Sequence, residues 1–188
     1  VWGTDGALTH TCKTYNGAGN DDYIYLIGNA ATPFYRFSIA GNSWSAMANA
    51  LTAAAGAGCS MHWTFGFNAD RLYVLRGGAT ATIYYYSIGT PGWTAVTYYP
   101  GSETFSTGTS TCYDALNRLY IVKDATHRMF YFQLDTNLMY IGGMWPYTSG
   151  TAMAGDGLVF IQTPDGAQYV YYRRQVGTEF FRMLIGWF

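Results

Sequence analysis

At 188 residues with a formal charge of −1, the chain can hold one well-cored domain or two small ones. Only 11% of its residues are charged, so it lacks the basic surface that neutralising a phosphate backbone requires, and nucleic acid is set aside as a partner. Aromatics at 19% together with 23 Gly favour an all-β chain, because rings suit a pleated, half-buried surface and Gly supplies the positive φ of tight turns. Helix formers are scarce, with two Lys and two Glu, and the one Ala-rich run, Ala48 to Ala57, is broken by Gly56 and lacks a cap. No apolar run reaches the 18 or so residues that a membrane-spanning helix needs.

Taken in chain order, the elements repeat. A small-residue segment, Gly6 to Cys12, precedes Asp22-Tyr23-Ile24-Tyr25-Leu26-Ile27-Gly28; an aromatic run, Phe34 to Ile39, then leads through Ala40-Gly41-Asn42 to Trp44. The second unit has Ala53 to Met61, Asp70 to Gly78, Ile83 to Ile88, and a turn before Trp93. The third has Thr107 to Cys112, Asn117 to Val122, Met129 to Leu134, and a turn before Tyr140. In the fourth, Gly150 to Ala154 precedes Asp156-Gly157-Leu158-Val159-Phe160-Ile161 and then Tyr169 to Arg173, with Phe180 and Phe181 following Gly177. Equating Tyr25, Tyr73, Tyr120 and Phe160 gives spacings of 48, 47 and 40, near the period of propeller blades. The small-residue segments suit innermost strands, which converge where space is tightest, so four strands per unit are expected.

This order resembles the kelch repeat, in which a small-residue strand is followed by an apolar strand ending in Gly-Gly, a Tyr-containing strand, and a turn before Trp. The residues that carry the resemblance are Gly77-Gly78 with Tyr85 and Trp93, and Gly28 with Tyr35 and Trp44. The third unit has Lys123-Asp124 where the glycine pair would fall, and the fourth lacks both the pair and the Trp. The resemblance implies an all-β β-propeller of about four kelch-like four-stranded blades at roughly 1–50, 51–99, 100–146 and 147–188, forming either a closed small ring or an arc of a larger one. A β-sandwich is the competing architecture, since repeated hairpins would suit it too. Strands this short and irregular do not suit an outer-membrane barrel.

Chemistry-bearing residues are sparse. Cys12, Cys59 and Cys112 recur on the small-residue segments, but without the close spacing of a zinc site they read as small apolar residues of a repeated strand, and neither metal nor cofactor is expected. His127 shares its stretch with Lys123, Asp124 and Arg128 and reads as solvated loop charge. No Gly-x-Ser-x-Gly elbow is present, and the Tyr and His set of a galactose-oxidase-like copper site cannot be placed, so the expectation is a protein that is not an enzyme.

Aromatics at strand ends carry the functional expectation. Trp63, Tyr98, Tyr99, Trp145 and Tyr147 could stack on a sugar ring or dock a protein, or they could pack between blades. The C-terminal run includes Phe180, Phe181, Trp187 and Phe188 and is too apolar for an open strand edge, so it should be covered by the N-terminal segment or by a neighbouring subunit. The chain also looks like the divergent propeller repeats of phage tail and nozzle proteins. The reading is therefore a structural and interaction module of an extracellular or virion assembly, with protein partners or self-assembly. A lectin-like propeller that binds glycan through the loop aromatics is one alternative, and a kelch-type protein-recognition domain is another.

Overall fold

The computed structural model describes residues 6–11, 22–28, 34–64, 70–114, 116–123, 126, 128–144, 157–173 and 180–187. Fifteen strands among them form four antiparallel sheets that follow one another along the chain. The first contains β1 (Ala7–Thr11), β2 (Tyr23–Ile27), β3 (Phe34–Ser38) and β4 (Ser43–Ala46) in that order. The second contains β5 (Ser60–Thr64), β6 (Arg71–Leu75), β7 (Ile83–Ser87) and β8 (Gly92–Val96). The third contains β9 (Ser110–Tyr113), β10 (Arg118–Val122), β11 (Arg128–Gln133) and β12 (Leu138–Met144). The fourth contains β13 (Gly157–Gln162), β14 (Ala167–Arg173) and β15 (Phe180–Trp187).

These sheets are the blades of a β-propeller. The first strands of successive sheets stand together, β1 against β5, β5 against β9 and β9 against β13, so they line the axis. β1 and β9 fall on the small-residue segments Gly6 to Cys12 and Thr107 to Cys112, whereas Ala53 to Met61 mostly precedes β5, which carries the larger side chains of Met61, His62 and Trp63. The segment assigned to this place in the fourth unit, Gly150 to Ala154, lies outside the described residues.

One equivalence drawn from the sequence shifts by a strand. Because β13 lies beside β9, it takes the innermost place, and Phe160 is not the counterpart of Tyr25. Tyr171 pairs with Arg182 as Tyr25 pairs with Arg36, so β14 matches β2 and β15 matches β3. The true echo is Tyr169-Val170-Tyr171 for Tyr23-Ile24-Tyr25, followed by Phe180-Phe181-Arg182 for Phe34-Tyr35-Arg36. Asp156 to Ile161 reproduces the strand pattern of the other units but stands one strand earlier.

Burial follows the stacking. β6 and β10 have their last four residues buried, because a sheet covers each of their faces, whereas β13 alternates between half-buried and exposed over its first four residues. Three apolar seams result. The first joins sheets one and two through Tyr25, Ile27, Phe34, Leu72, Val74 and Tyr86. The second joins two and three through Tyr73, Leu75, Ile83, Leu119, Phe130 and Phe132, and the third joins three and four through Tyr120, Val122, Val170 and Tyr172. Among the described residues no comparable packing joins the fourth sheet to the first.

Glycine is required between β6 and β7. Gly77 and Gly78 have φ of +70° and +63°, and a Cβ on Gly77 would sit 2.4 Å from the Ala57 carbonyl oxygen and 2.6 Å from the Cys59 nitrogen. The close approach is held by hydrogen bonds, Gly78 N–H donating to Ala57 O and Gly56 N–H to Arg76 O. Gly77→Ala should therefore lose about 2–3 kcal/mol of stability, lowering Tm by roughly 4–12 °C in calorimetry. Gly89→Ala, where nothing lies within 4 Å of the added methyl, should leave Tm nearly unchanged.

Candidate functional site

One arginine of each blade stacks on a tyrosine, in a way that only strand pairing reveals. In the middle two sheets it opens the second strand, and in the outer two it lies on the third. Arg71 of β6 stacks 4.1 Å over the Tyr85 ring of β7, and Arg118 of β10 lies 5.5 Å over Tyr131 of β11. Arg36 of β3 lies 4.2 Å over Tyr23 of β2, and Arg182 of β15 lies 5.1 Å over Tyr169 of β14. The first three pairs sit on the side of their sheet that faces the next one in the chain, and the Arg182–Tyr169 pair sits on the corresponding, outward side of the last sheet. Such stacking holds the guanidinium flat while its edge keeps N–H groups to offer.

A second tyrosine completes each middle set. Arg71 Nη1 donates to the Tyr73 hydroxyl at 3.5 Å, and Arg118 Nη1 to the Tyr120 hydroxyl at 3.4 Å. Burial pushes the Tyr120 phenol up against the lowering pull of Arg118, so it remains a neutral O–H. Asp114, itself buried, shapes the turn that delivers Arg118: its Oδ1 accepts the backbone N–H groups of Leu116, Asn117 and Arg118, each at 2.9 Å.

Both middle sets open into clefts between blades. Arg71, Tyr73 and Tyr85 face Leu134, Asp135 and Asn137 of the third sheet across a cavity of about 340 Å³. Arg118, Tyr120 and Tyr131 face Met183, Leu184 and Ile185 of the fourth across about 260 Å³. The first volume lies at the lower end of the roughly 300–1,000 Å³ typical of small-molecule sites, and the second just below it. A smaller polar bay of about 200 Å³ adjoins Arg118, lined also by Asp114, Asn117, Gln133 and Gln168. There the buried Gln168 side chain has an Nε2 with no hydrogen-bond acceptor among the described residues.

The aromatics singled out in the sequence are dispersed. Trp63 lies on β5, packed partly buried against the first seam, with its backbone N–H donating to Thr9 Oγ1. Tyr98 is buried in the second seam, its ring 6.0 Å from Phe132 and its hydroxyl donating to Glu103 O. Burial, and after it the Glu103 charge, raises that phenol to about 12. Tyr99 is strongly exposed, while its backbone bonds to Asn137 O and Met139 N–H. Phe180 is exposed beside Tyr171, and Phe181 packs on the third seam. Trp187 ends β15, opposite Ala167. Trp145, Tyr147 and Phe188 lie outside the described residues, as do Cys12, Asp124 and His127.

Among the described residues the thiols and histidines form no reactive set. Cys112 is buried, and burial followed by Asp114 drives its thiol pKa far up, so it stays protonated. Cys59 is half-buried and packs against the first seam. His62 Nε2 sits 2.6 Å from Thr111 Oγ1, and burial lowers its pKa to about 4. Among the described residues no cluster of three His, Cys, Asp or Glu could hold a metal ion.

No family profile and no curated protein matches the chain in sequence. Solved structures do match it in shape. A point mutant of the Aleuria aurantia lectin in complex with α-methyl-L-fucoside is 15% identical with a TM-score of 0.57, covering 96% of this chain and 57% of its own. A protein of unknown function from Bacteroides thetaiotaomicron is 17% identical with a TM-score of 0.59, covering 97% of this chain and 42% of its own. YjhT is 12% identical with a TM-score of 0.57, covering 88% and 57% respectively. The fold is that of a β-propeller. Another Aleuria aurantia lectin structure, 16% identical with a TM-score of 0.56, is described as a six-bladed β-propeller with a novel mode of fucose recognition. The chain thus spans less than two thirds of the length of these propellers.

Proposed function

We propose that the chain is a non-catalytic carbohydrate-binding propeller whose ligand sites are the clefts between blades, not the aromatics at strand ends. The observation that carries this is the repeated arginine-on-tyrosine pair, which opens into a monosaccharide-sized cavity at two successive seams. A sugar needs a flat apolar face to stack on and donors fixed in direction for its hydroxyls, and Tyr85 with Arg71, or Tyr131 with Arg118, supplies both. The hydroxyls of Tyr73 and Tyr120 add further partners, and the spare amide of Gln168 offers a donor beside the second cleft. That solved propellers of similar shape include fucose-binding lectins supports the reading.

The test is a glycan array followed by titration of α-methyl-L-fucoside and other methyl glycosides, read by tyrosine fluorescence. Arg71→Ala and Arg118→Ala should each weaken binding tenfold or more at their own cleft, since a hydrogen bond from a charged donor contributes about 1.5–3 kcal/mol. Arg→Lys should rescue little, because the ammonium cannot reproduce the stacked fork. A chain that binds no glycan on the array, or whose binding survives both alanine changes, would overturn the assignment.

A second role, as a subunit of an extracellular or virion assembly, is favoured by the exposed apolar residues on the outward faces of the first and last sheets, Leu8, Val159, Ile161 and Phe180 among them.

A further inference from the structure

The first sheet turns toward solvent a face built like those buried elsewhere. Strand pairing places Leu8, Ile24 and Phe37 where the second sheet has Met61, Leu72 and Tyr86, the residues it packs onto the first. Leu8 is 59% exposed and Met61 3%. The turn after β3 repeats the turn after β11, with Asn42 and Asn137 both at positive φ and Ile39 N–H bonded to Asp22 O as Leu134 N–H is to Asn117 O. Ile39 is nevertheless 46% exposed and Leu134 3%.

The last sheet shows the opposite half of the same joint. Phe180 holds the place of Phe34, two residues before the arginine and on the same face. Phe34 is 2% exposed because its ring meets Tyr86 at 4.9 Å and Trp93 at 5.0 Å in the next sheet, two rings that themselves stand 5.1 Å apart. Phe180 is 63% exposed. On the outward face of the first sheet, Phe37 and Trp44 form the matching ring pair at 5.2 Å. The knob is thus on the fourth sheet and its socket on the first.

We propose that the chain self-associates head to tail, the fourth sheet of one copy stacking on the first sheet of the next. Phe180 then packs against Phe37 and Trp44 of the second copy, as Phe34 packs against Tyr86 and Trp93 within one chain. Val159, Ile161 and Leu184 are covered in the same step by the side that carries Leu8 and Ile39. The interface is heterologous, so it closes as a ring where the rotation permits and extends as a filament where it does not. The junction also roofs the Arg182–Tyr169 pair with the Ile39–Asn42 turn of the second copy, completing another inter-blade cleft. That last consequence rests on the glycan reading, but the association does not.

Sedimentation and native mass spectrometry of the purified chain without sugar, at tens of micromolar, test this. The expected mass is a multiple of the 20.8 kDa chain. Leu8→Glu and Phe180→Glu, both at exposed positions, should each give a folded monomer by circular dichroism, and an equimolar mixture of the two should recover a dimer through the one intact junction. A wild-type chain that stays monomeric overturns the proposal and leaves these faces to a different partner. A dimer that survives Leu8→Glu also overturns it, because it would join like faces. Glycan binding at the Arg71 cleft, complete within one chain, is expected to persist in either monomeric variant.

Discussion

Replacing Phe132 by Ala should cost about 3–5 kcal/mol, the largest effect expected of any single side chain here. Phe132 is fully buried at the second seam, where its ring lies 6.4 Å from Tyr73 and 6.0 Å from Tyr98. Both neighbours belong to other parts of the chain, one to the second sheet and one to the segment linking it to the third, so truncation opens a void that no single strand can collapse to fill. Urea denaturation should show a lower midpoint with an unchanged slope. A loss below about 1 kcal/mol would mean that the seams are not what holds the blades together.

Acid should weaken the protein through His62 before its carboxylates matter. Burial between the inner strands lowers the His62 pKa from 6.5 to about 4, while the hydrogen bond with Thr111 acts in the opposite direction and is the smaller influence. The unfolded chain therefore binds a proton near pH 6.5 that the folded chain refuses until about pH 4. Stability is complete above the higher of these values and falls as pH drops through the window between them, by up to about 3 kcal/mol. The pKa of Asp135 and Asp165 is held below the usual carboxylate range by hydrogen bonds, from Asn117 and Thr163 respectively, so their contributions are lost only at lower pH. Thermal unfolding between pH 7.5 and 4.5 should show the decline, and His62→Gln should flatten it. An unchanged slope in that variant would assign the dependence to other groups.

Much of the fold was legible because blade geometry leaves periodic marks in the chain. Small residues mark the inner strands β1 and β9, though not β5, and alternating aromatics recur where sheets stack. The fourth unit misled for a physical reason: Leu158-Val159-Phe160-Ile161 is apolar enough to pass for a second strand, yet it is an inner strand that only the third sheet covers. The arginine sites were half visible. Arg71 and Arg118 stand at one place in their units, but Arg36 and Arg182 reach the equivalent place from the neighbouring strand, which requires the pairing register. For Trp63 and Tyr98 the sequence left stacking on a ligand and packing between blades both open, because their packing partners lie on other sheets. Whether four units form a closed ring or an arc was likewise a matter of which faces meet, and three seams join the four described sheets.

The parallel bridge between Tyr99 and Leu138 constrains how the molecule can grow. Tyr99 N–H donates to Asn137 O and Tyr99 O accepts from Met139 N–H, so the linker from the second sheet lies along the outermost strand of the third. An incoming strand would find the Met139 amide and the Asn137 carbonyl already taken at the start of this rim, which hinders lateral sheet extension of the kind that seeds aggregates there. Accretion is thereby steered away from backbone zippering at this rim and toward side chains meeting face on, a mode that depends on residue identity and so can be selective.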